Sequence, residues 1–168
     1  MKNLKGFITI ISLLLVLSVS AFSQTVLTSL DGTKVDVEAQ SGKVVVFAVG
    51  AAWLPLSAKQ VEFTNALVKK YAGKNVVFYF VLTDSANPRS KNYTSIADIR
   101  TFAATNKLTS TVLLDPDGAA TLRKFKIEQV PSFVILNKSG DVSGEPFGGI
   151  DPKYDITIPI SKAIDKLL

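Results

Sequence analysis

The sequence predicts an α/β fold, a three-layer α/β/α sandwich with a mixed central sheet and an N-terminal β-hairpin. Two runs, residues 44–49 and, after its first residue Asn75, residues 75–82, are apolar and have the β-branched and aromatic character of strands that are covered on both faces. Between and after these runs, apolar residues recur at helical spacing, which is the pattern of crossover helices that join parallel strands. A polar turn at residues 137–141 follows a further apolar run, residues 132–136, and predicts a late antiparallel hairpin.

Residues 1–23 form a separate segment that predicts export. Two lysines precede an apolar stretch, residues 7–17, and Ala21-Phe22-Ser23 then places small residues at the −3 and −1 positions of a cleavage site. A single membrane anchor is the alternative, but an anchor needs roughly 18 to 20 apolar residues. A cysteine for a lipoprotein anchor is also missing. We therefore predict a cleaved signal peptide and a periplasmic or secreted mature chain that is not held in a membrane.

The remaining residues, 24–168, are enough for one domain with a hydrophobic core and too few for two. Removing Lys2 and Lys5 from the 19 basic residues leaves 17 against 14 acidic ones, a net charge of +3. These charges are spread along the chain, and no basic run is longer than two residues. A nucleic acid is therefore not an expected partner.

The chain contains no histidine and no cysteine. The first absence excludes an imidazole general base, a Ser-His-Asp triad and a histidine-ligated zinc or haem. The second excludes thiolate chemistry and disulfides, so the domain depends on its core for stability. We expect no cofactor and no metal. Carboxylate, lysine, tyrosine and serine chemistry remain.

The first half of the chain gives clear turn and helix signals. An Asp-Gly turn at residues 31–33, flanked by residues 26–30 and 35–37, predicts the N-terminal hairpin. Pro55 precedes a helix that is predicted to end near Tyr71, because Gly73 lies two residues later.

After the second buried strand, residues 84–93 are predicted as a polar loop, and Thr94-Ser95 is predicted to cap a helix that reaches about Asn106. A short strand, residues 111–114, then ends at Asp115-Pro116-Asp117-Gly118. We predict a type I turn there. A calcium loop is the alternative, but the further ligands and a bidentate glutamate are missing.

Three elements complete the prediction. Residues 119–125 are predicted as a short helix, and residues 142–147 as the second strand of the late hairpin. The final helix is predicted to run from residue 158 or 159 to Leu168. Pro159 fixes its start, because proline costs about 3 kcal/mol in the middle of a helix but almost nothing in the first turn.

Four segments of the sequence resemble a known family in their order and spacing. They are Gly42-Lys43-Val44-Val45-Val46-Phe47, Trp53-Leu54-Pro55-Leu56-Ser57, Leu114-Asp115-Pro116-Asp117-Gly118 and Phe125-Lys126-Ile127-Glu128-Gln129-Val130-Pro131-Ser132-Phe133-Val134-Ile135. Together they resemble a thioredoxin-like domain of the TlpA type, which comprises secreted thiol-disulfide oxidoreductases related to redoxins and peroxiredoxins. The resemblance covers residues 26–168 and implies the thioredoxin-like form of the sandwich.

The resemblance also implies a redox centre that this chain lacks. In the family, a tryptophan precedes C-x-x-C at a helix N-terminus, where the helix dipole and free N–H groups stabilise a thiolate. Here Trp53 is present, but Leu54 and Ser57 stand at the two cysteine positions. Gln60 stands where many members carry a glutamate that assists proton transfer. These three positions are therefore degenerate, and no catalytic residue is assigned.

Two other chemistries at Ser57 are not favoured by the sequence. Peroxidase activity is not expected because peroxide does not oxidise a serine hydroxyl under mild conditions. Hydrolase activity would need a base, and the nearest candidate is Lys59, which points elsewhere on the helix. We interpret Ser57 as a polar residue of the first helical turn.

Val130-Pro131 matches the family's cis-proline, which faces the C-x-x-C site and leaves backbone groups of the preceding residue free to pair with an extended peptide. The resemblance therefore implies a groove that survives the loss of the cysteines. We call its residues the candidate face: Trp53, Leu54, Pro55, Ser57, Val130 and Pro131. An apolar patch with an exposed strand-like edge is a surface for peptide recognition by strand addition. The alternative is that Trp53 and Pro131 serve packing alone.

Three functional hypotheses follow. The first is an exported, redox-inactive domain that binds a peptide or protein at the candidate face. The second is a thiol-disulfide oxidoreductase or antioxidant function of the family, with the chemistry supplied by a partner's thiols. The third is a structural or accessory domain whose binding surface lies elsewhere.

Overall fold

The computed structural model describes residues 24–40 and 42–168. The predicted signal peptide, residues 1–23, lies outside these residues. The strands are β1 (Val26–Ser29), β2 (Lys34–Asp36), β3 (Val44–Gly50), β4 (Val76–Leu82), β5 (Thr111–Leu114), β6 (Ser132–Leu136) and β7 (Phe147–Gly148). The helices are α1 (Ser57–Lys70), α2 (Ile96–Thr105) and α3 (Thr157–Asp165). No helix among the described residues is long and apolar enough to cross a membrane.

The seven strands form one mixed sheet in the order β2-β1-β5-β4-β3-β6-β7. The pairs β3/β4 and β4/β5 are parallel, and the other pairs are antiparallel. All seven residues of β3 are buried, as expected for a strand that is covered on both faces. The predicted α/β class, the mixed sheet and the N-terminal hairpin are therefore confirmed.

The two faces of the sheet are covered differently. Alternate residues of a strand point to opposite faces, and Val44, Val46 and Ala48 belong to the core cluster that includes buried residues of all three helices. The alternate set, which includes Phe47, packs with the segment that precedes β6. The ring centroids of Phe47 and Phe125 are 5.2 Å apart. The sheet thus has three helices on one face and a turn-rich segment on the other.

A buried tyrosine joins α1 to α3. The hydroxyl of Tyr71, the residue after α1, has two acceptors for its single proton: Asp165 Oδ1 at 2.8 Å and the carbonyl of Ser161 at 3.1 Å. Burial raises the pKa of this hydroxyl. Because the neutral form is favoured, the hydroxyl remains a donor at physiological pH and holds the two helices together.

The prediction of a short helix at residues 119–125 is wrong. This segment forms turns, because its helix-type i→i−4 bonds, from Leu122 N and Phe125 N, are not consecutive. The buried Asp115 carboxylate holds the start of the segment: it accepts the backbone N–H groups of Ala120 and Thr121 at 2.9 Å and the Thr121 hydroxyl at 2.6 Å. The predicted type I turn is wrong as well. Asp117 has φ +59°, whereas the third residue of a type I turn has a negative φ.

The strand predicted at residues 142–147 is interrupted. Val142 forms an isolated bridge with Leu136, and regular pairing begins again only at Phe147. Gly144, with φ +78°, and Pro146 lie between them, and both break a regular ladder. The boundaries of the last helix also differ, because α3 begins at Thr157 and ends at Asp165.

Candidate functional site

The loop between β3 and α1 is held by a buried carboxylate. The backbone N–H of Ala52 donates to both oxygens of Asp84, at 3.1 and 2.9 Å, and Asp84 is 4% exposed. Two turn bonds follow, from Leu54 N to Ala51 O and from Ser57 N to Leu54 O, each 3.1 Å long. The residue before Trp53 and the start of α1 are therefore fixed.

Ser57 is the first residue of α1 and is fully buried. Its hydroxyl donates to the carbonyl of Ala51 at 2.7 Å. The ammonium of Lys59 forms an ion pair with Glu62 instead. A buried hydroxyl that is committed to a backbone acceptor and has no base beside it is not a nucleophile. Ser57 therefore serves the structure of the first helical turn, and Leu54, beside it, is half-buried.

Gln60 ties α1 to the sheet. Its side chain is fully buried, and Nε2 donates to the carbonyl of Ser132 at 2.8 Å and to the carbonyl of Val49 at 3.2 Å. Oε1 has no hydrogen-bond partner among the described residues. An amide can donate to two carbonyls, whereas an ionised carboxylate can only accept. Gln60 thus suits this position as a permanently neutral donor.

Gly50, the last residue of β3, leaves the space that these polar side chains occupy. A Cβ atom at this position would lie 2.4 Å from Gln60 Oε1 and 3.2 Å from Ser57 Oγ. The first distance is shorter than any that real Cβ atoms show, so a side chain at position 50 would displace Gln60. A larger residue at position 50 would therefore cost the hydrogen bonds that Gln60 makes to Val49 and Ser132.

The peptide bond between Val130 and Pro131 is cis, as the resemblance implies. Ser132, the next residue, pairs with Val49 in the sheet and accepts the hydrogen bond from Gln60. These contacts place the cis-proline beside the start of α1. The N–H and carbonyl of Val130 have no hydrogen-bond partner within the described part of the chain.

The six residues of the candidate face differ in their exposure. Trp53 is 46% exposed, and Pro55 is also exposed, while Leu54 and Val130 are half-buried. Ser57 and Pro131 are buried. The surface that a ligand can touch therefore consists of four apolar side chains and the free backbone groups of Val130. The role of this surface in binding stays a prediction.

Among the described residues, this surface contains no ionisable side chain and no candidate metal cluster. Within residues 24–40 and 42–168, no group of three or more acidic, histidine or cysteine side chains could hold a metal ion. None of the six residues of the candidate face has an ionisable side chain. The arrangement offers apolar contact and main-chain hydrogen bonds.

Two residues that shape the site were not predicted from the sequence. Asp84 holds the loop, and the carbonyl of Ser132 anchors Gln60. The position of Asp84, two residues after the buried parallel strand β4, was an available signal, because loops at the carboxyl ends of such strands form sites. No local signal pointed to Ser132, since its contact with Gln60 spans 72 residues of sequence.

The chain is similar to a known protein family and to several solved structures. The family profile described as Redoxin matches residues 18–152. No curated protein matches the chain.

Three solved structures are similar to it. A thioredoxin-like protein from Aeropyrum pernix has a TM-score of 0.67 at 18% identity, over 96% of each chain. A secreted Mycobacterium tuberculosis disulfide oxidoreductase homologous to E. coli DsbE has a TM-score of 0.63 at 18% identity, over 86% of this chain and 96% of that one. The pneumococcal exposed lipoprotein thioredoxin from Streptococcus pneumoniae has a TM-score of 0.67 at 22% identity, over 86% and 100%. These likenesses confirm the thioredoxin-like fold.

Proposed function

Since this chain belongs to the Redoxin family and has no cysteine, we propose that it is an exported, redox-inactive member that binds a peptide or protein at the candidate face. One observation carries the proposal. The chain keeps an exposed tryptophan beside a cis-proline whose preceding residue has free backbone groups, although the residues at both cysteine positions can no longer exchange thiols. A side chain kept for packing alone would be expected to be buried, whereas Trp53 is 46% exposed.

The expected affinity is low. An extended peptide paired with Val130 gains two main-chain hydrogen bonds, each worth about 0.5 to 1.5 kcal/mol net. Apolar contact with Trp53 adds about 25 cal/mol for each Å² that is buried. Association costs several kcal/mol of lost freedom. The balance favours weak, transient binding of extended chains.

We expect the candidate face to bind reduced, carboxymethylated ribonuclease A, an unfolded chain that has no tryptophan and cannot exchange disulfides. Trp53 is the only tryptophan of the protein, so its fluorescence emission should shift on binding. Leu54→Asp places a charge in the apolar surface and should weaken binding about tenfold or more, while the variant stays folded by circular dichroism.

Val26→Asp provides the matched control. Val26 is 49% exposed and lies in β1, outside the candidate face. This variant should bind as the wild type does. If binding leaves Trp53 emission unchanged and Leu54→Asp binds as tightly as Val26→Asp, the candidate face is not the binding site and the accessory hypothesis replaces this proposal.

Export is supported by the pattern of residues 1–23 and by the extracytoplasmic setting of two similar structures, one described as secreted and one as an exposed lipoprotein. When the full chain is produced in a Gram-negative host, mass spectrometry of the periplasmic fraction should show a mature chain that begins at Gln24 or within about three residues of it. Recovery of intact Met1 from the membrane fraction would instead support an anchor.

A further inference from the structure

A polar groove of about 460 Å³ lies beside the cis-proline. Its lining includes Lys126, Glu128, Gln129, Ser132, Glu145 and Gly148. Alternate residues of a strand point to the same face of the sheet, so the side chain of Ser132 lies on the same face as those of Val134 and Leu136. These two side chains pack on the face away from the helices. The groove therefore opens on the opposite side of the sheet from α1, one residue beyond Pro131.

A buried hydroxyl without a partner lies in this groove. Ser132 is 1% exposed, and its Oγ atom makes no hydrogen bond to any described residue. A buried polar group that lacks a partner costs free energy, so most such groups in folded proteins are paired. A hydroxyl can donate one hydrogen bond and accept two. Because this atom has almost no accessible surface, a polar ligand in the groove reaches it only when an exposed side chain of the lining, such as Gln129, moves aside.

The charge of the groove is locally negative. Glu128 and Glu145 are exposed and take no part in the ion pairs found among the described residues, which join Lys59 to Glu62 and Lys124 to Glu38. Lys126 is the one cationic residue of the lining. Two carboxylates against one ammonium favour a cationic ligand, although the predicted mature chain is basic as a whole.

One wall of the groove is shaped by close packing. The side chain of Gln129 lies against Gly148, where an added Cβ atom would be 2.5 Å from Gln129 Nε2. Gly148 pairs with Ser132, so this wall is attached to the same strand that follows the cis-proline. Ser132, which lines the groove, is two residues along the chain from Val130, whose backbone groups a peptide would pair with.

We propose that this groove binds the arginine or lysine side chain of the peptide that lies on the candidate face. The inference rests on the proposed function and specifies the partner's chemistry. A guanidinium or ammonium group donates several hydrogen bonds, to the two carboxylates and to the hydroxyl of Ser132, and charge-assisted bonds are stronger than neutral ones. The candidate face contributes apolar contact, and the groove selects for positive charge.

A phage library of random heptapeptides, selected against the mature domain, tests the inference. We expect enriched peptides to carry arginine or lysine at a fixed spacing from an apolar residue. Glu145→Gln should weaken an enriched synthetic peptide about tenfold, and Ser132→Ala should weaken it less, because a neutral group is lost. Glu62→Gln makes the same chemical change on α1, on the other side of the sheet, and should leave the affinity unchanged.

The outcomes separate the two proposals. If the enriched peptides are purely apolar and depend on Leu54, the groove inference is overturned while the proposed function stands. If a cationic preference responds to Glu145→Gln but not to Leu54→Asp, the groove binds ligands and the proposed function fails. If the library yields no enriched peptide, or if Glu145→Gln and Glu62→Gln have equal effects, the groove inference is overturned.

Discussion

The mature chain is expected not to catalyse the reduction of insulin by dithiothreitol above the uncatalysed background. Disulfide exchange needs a thiolate that attacks and a thiol that resolves the mixed disulfide. Leu54 and Ser57 provide neither, and the Ser57 hydroxyl is buried against the carbonyl of Ala51. The measurement is the turbidity of precipitating insulin over time. Turnover by the purified wild-type protein in a metal-free assay would contradict the loss of redox function.

The double variant Leu54→Cys plus Ser57→Cys provides the positive arm of this experiment. The 3.1 Å bond from Ser57 N to Leu54 O closes a turn, and such turns hold the first and fourth Cα atoms within about 7 Å. A disulfide requires a similar separation. We expect the oxidised variant to lose the mass of two hydrogen atoms and to gain measurable insulin reduction, while Leu54→Cys alone stays at background.

Gln60→Glu is expected to make the stability of the fold strongly dependent on pH. The new carboxyl group would be buried and would face the carbonyls of Val49 and Ser132, so its charged form is disfavoured and its pKa is raised. Below about pH 4.3, the group is protonated in the folded and the unfolded chain. The variant should then lose only about 1 to 3 kcal/mol, because a protonated carboxyl donates one hydrogen bond where the amide donates two. At higher pH only the unfolded chain ionises.

The free energy of unfolding of this variant should therefore fall by about 1.4 kcal/mol per pH unit as the pH rises above 4.3. At pH 7 this further loss is roughly 3 to 4 kcal/mol, a large part of the 5–15 kcal/mol that is typical of a domain. Urea unfolding between pH 4.5 and 7.5 measures it. Gln24→Glu, at an exposed position, is the control and should show no such slope. Equal stability of Gln60→Glu at both ends of this range would show that position 60 is solvated.

Continuous apolar character was sufficient to predict the central strands. The strand predicted at residues 44–49 is observed as Val44–Gly50, and the strand predicted at residues 132–136 is observed as Ser132–Leu136. The cap at Ser95 was predictable for the same local reason, since its side chain accepts the N–H of Asp98, three residues later. Such features depend on neighbours in sequence, and a sequence displays those neighbours directly.

The errors concern segments whose conformation depends on contacts beyond the immediate neighbours. Residues 119–125 have helical composition, but their backbone N–H groups do not form consecutive i→i−4 bonds. Those of Ala120 and Thr121 donate to the buried carboxylate of Asp115, which holds the segment in turns. At the site, the missing cysteines and the position of the cis-proline were predictable. The attachment of Gln60 to Ser132 was not, because it forms only when α1 packs on the sheet.

The short strands at the two edges of the sheet have a consequence for the behaviour of the protein at high concentration. Exposed edges present unpaired backbone groups on which another chain can add a strand, and this is a route to aggregation. Here β2 has three residues and begins with the exposed Lys34, and β7 has two residues and is followed by Gly149 at φ +68°. Neither edge offers the long, flat template that intermolecular sheet growth requires, so the folded domain should resist self-association through its sheet without any disulfide.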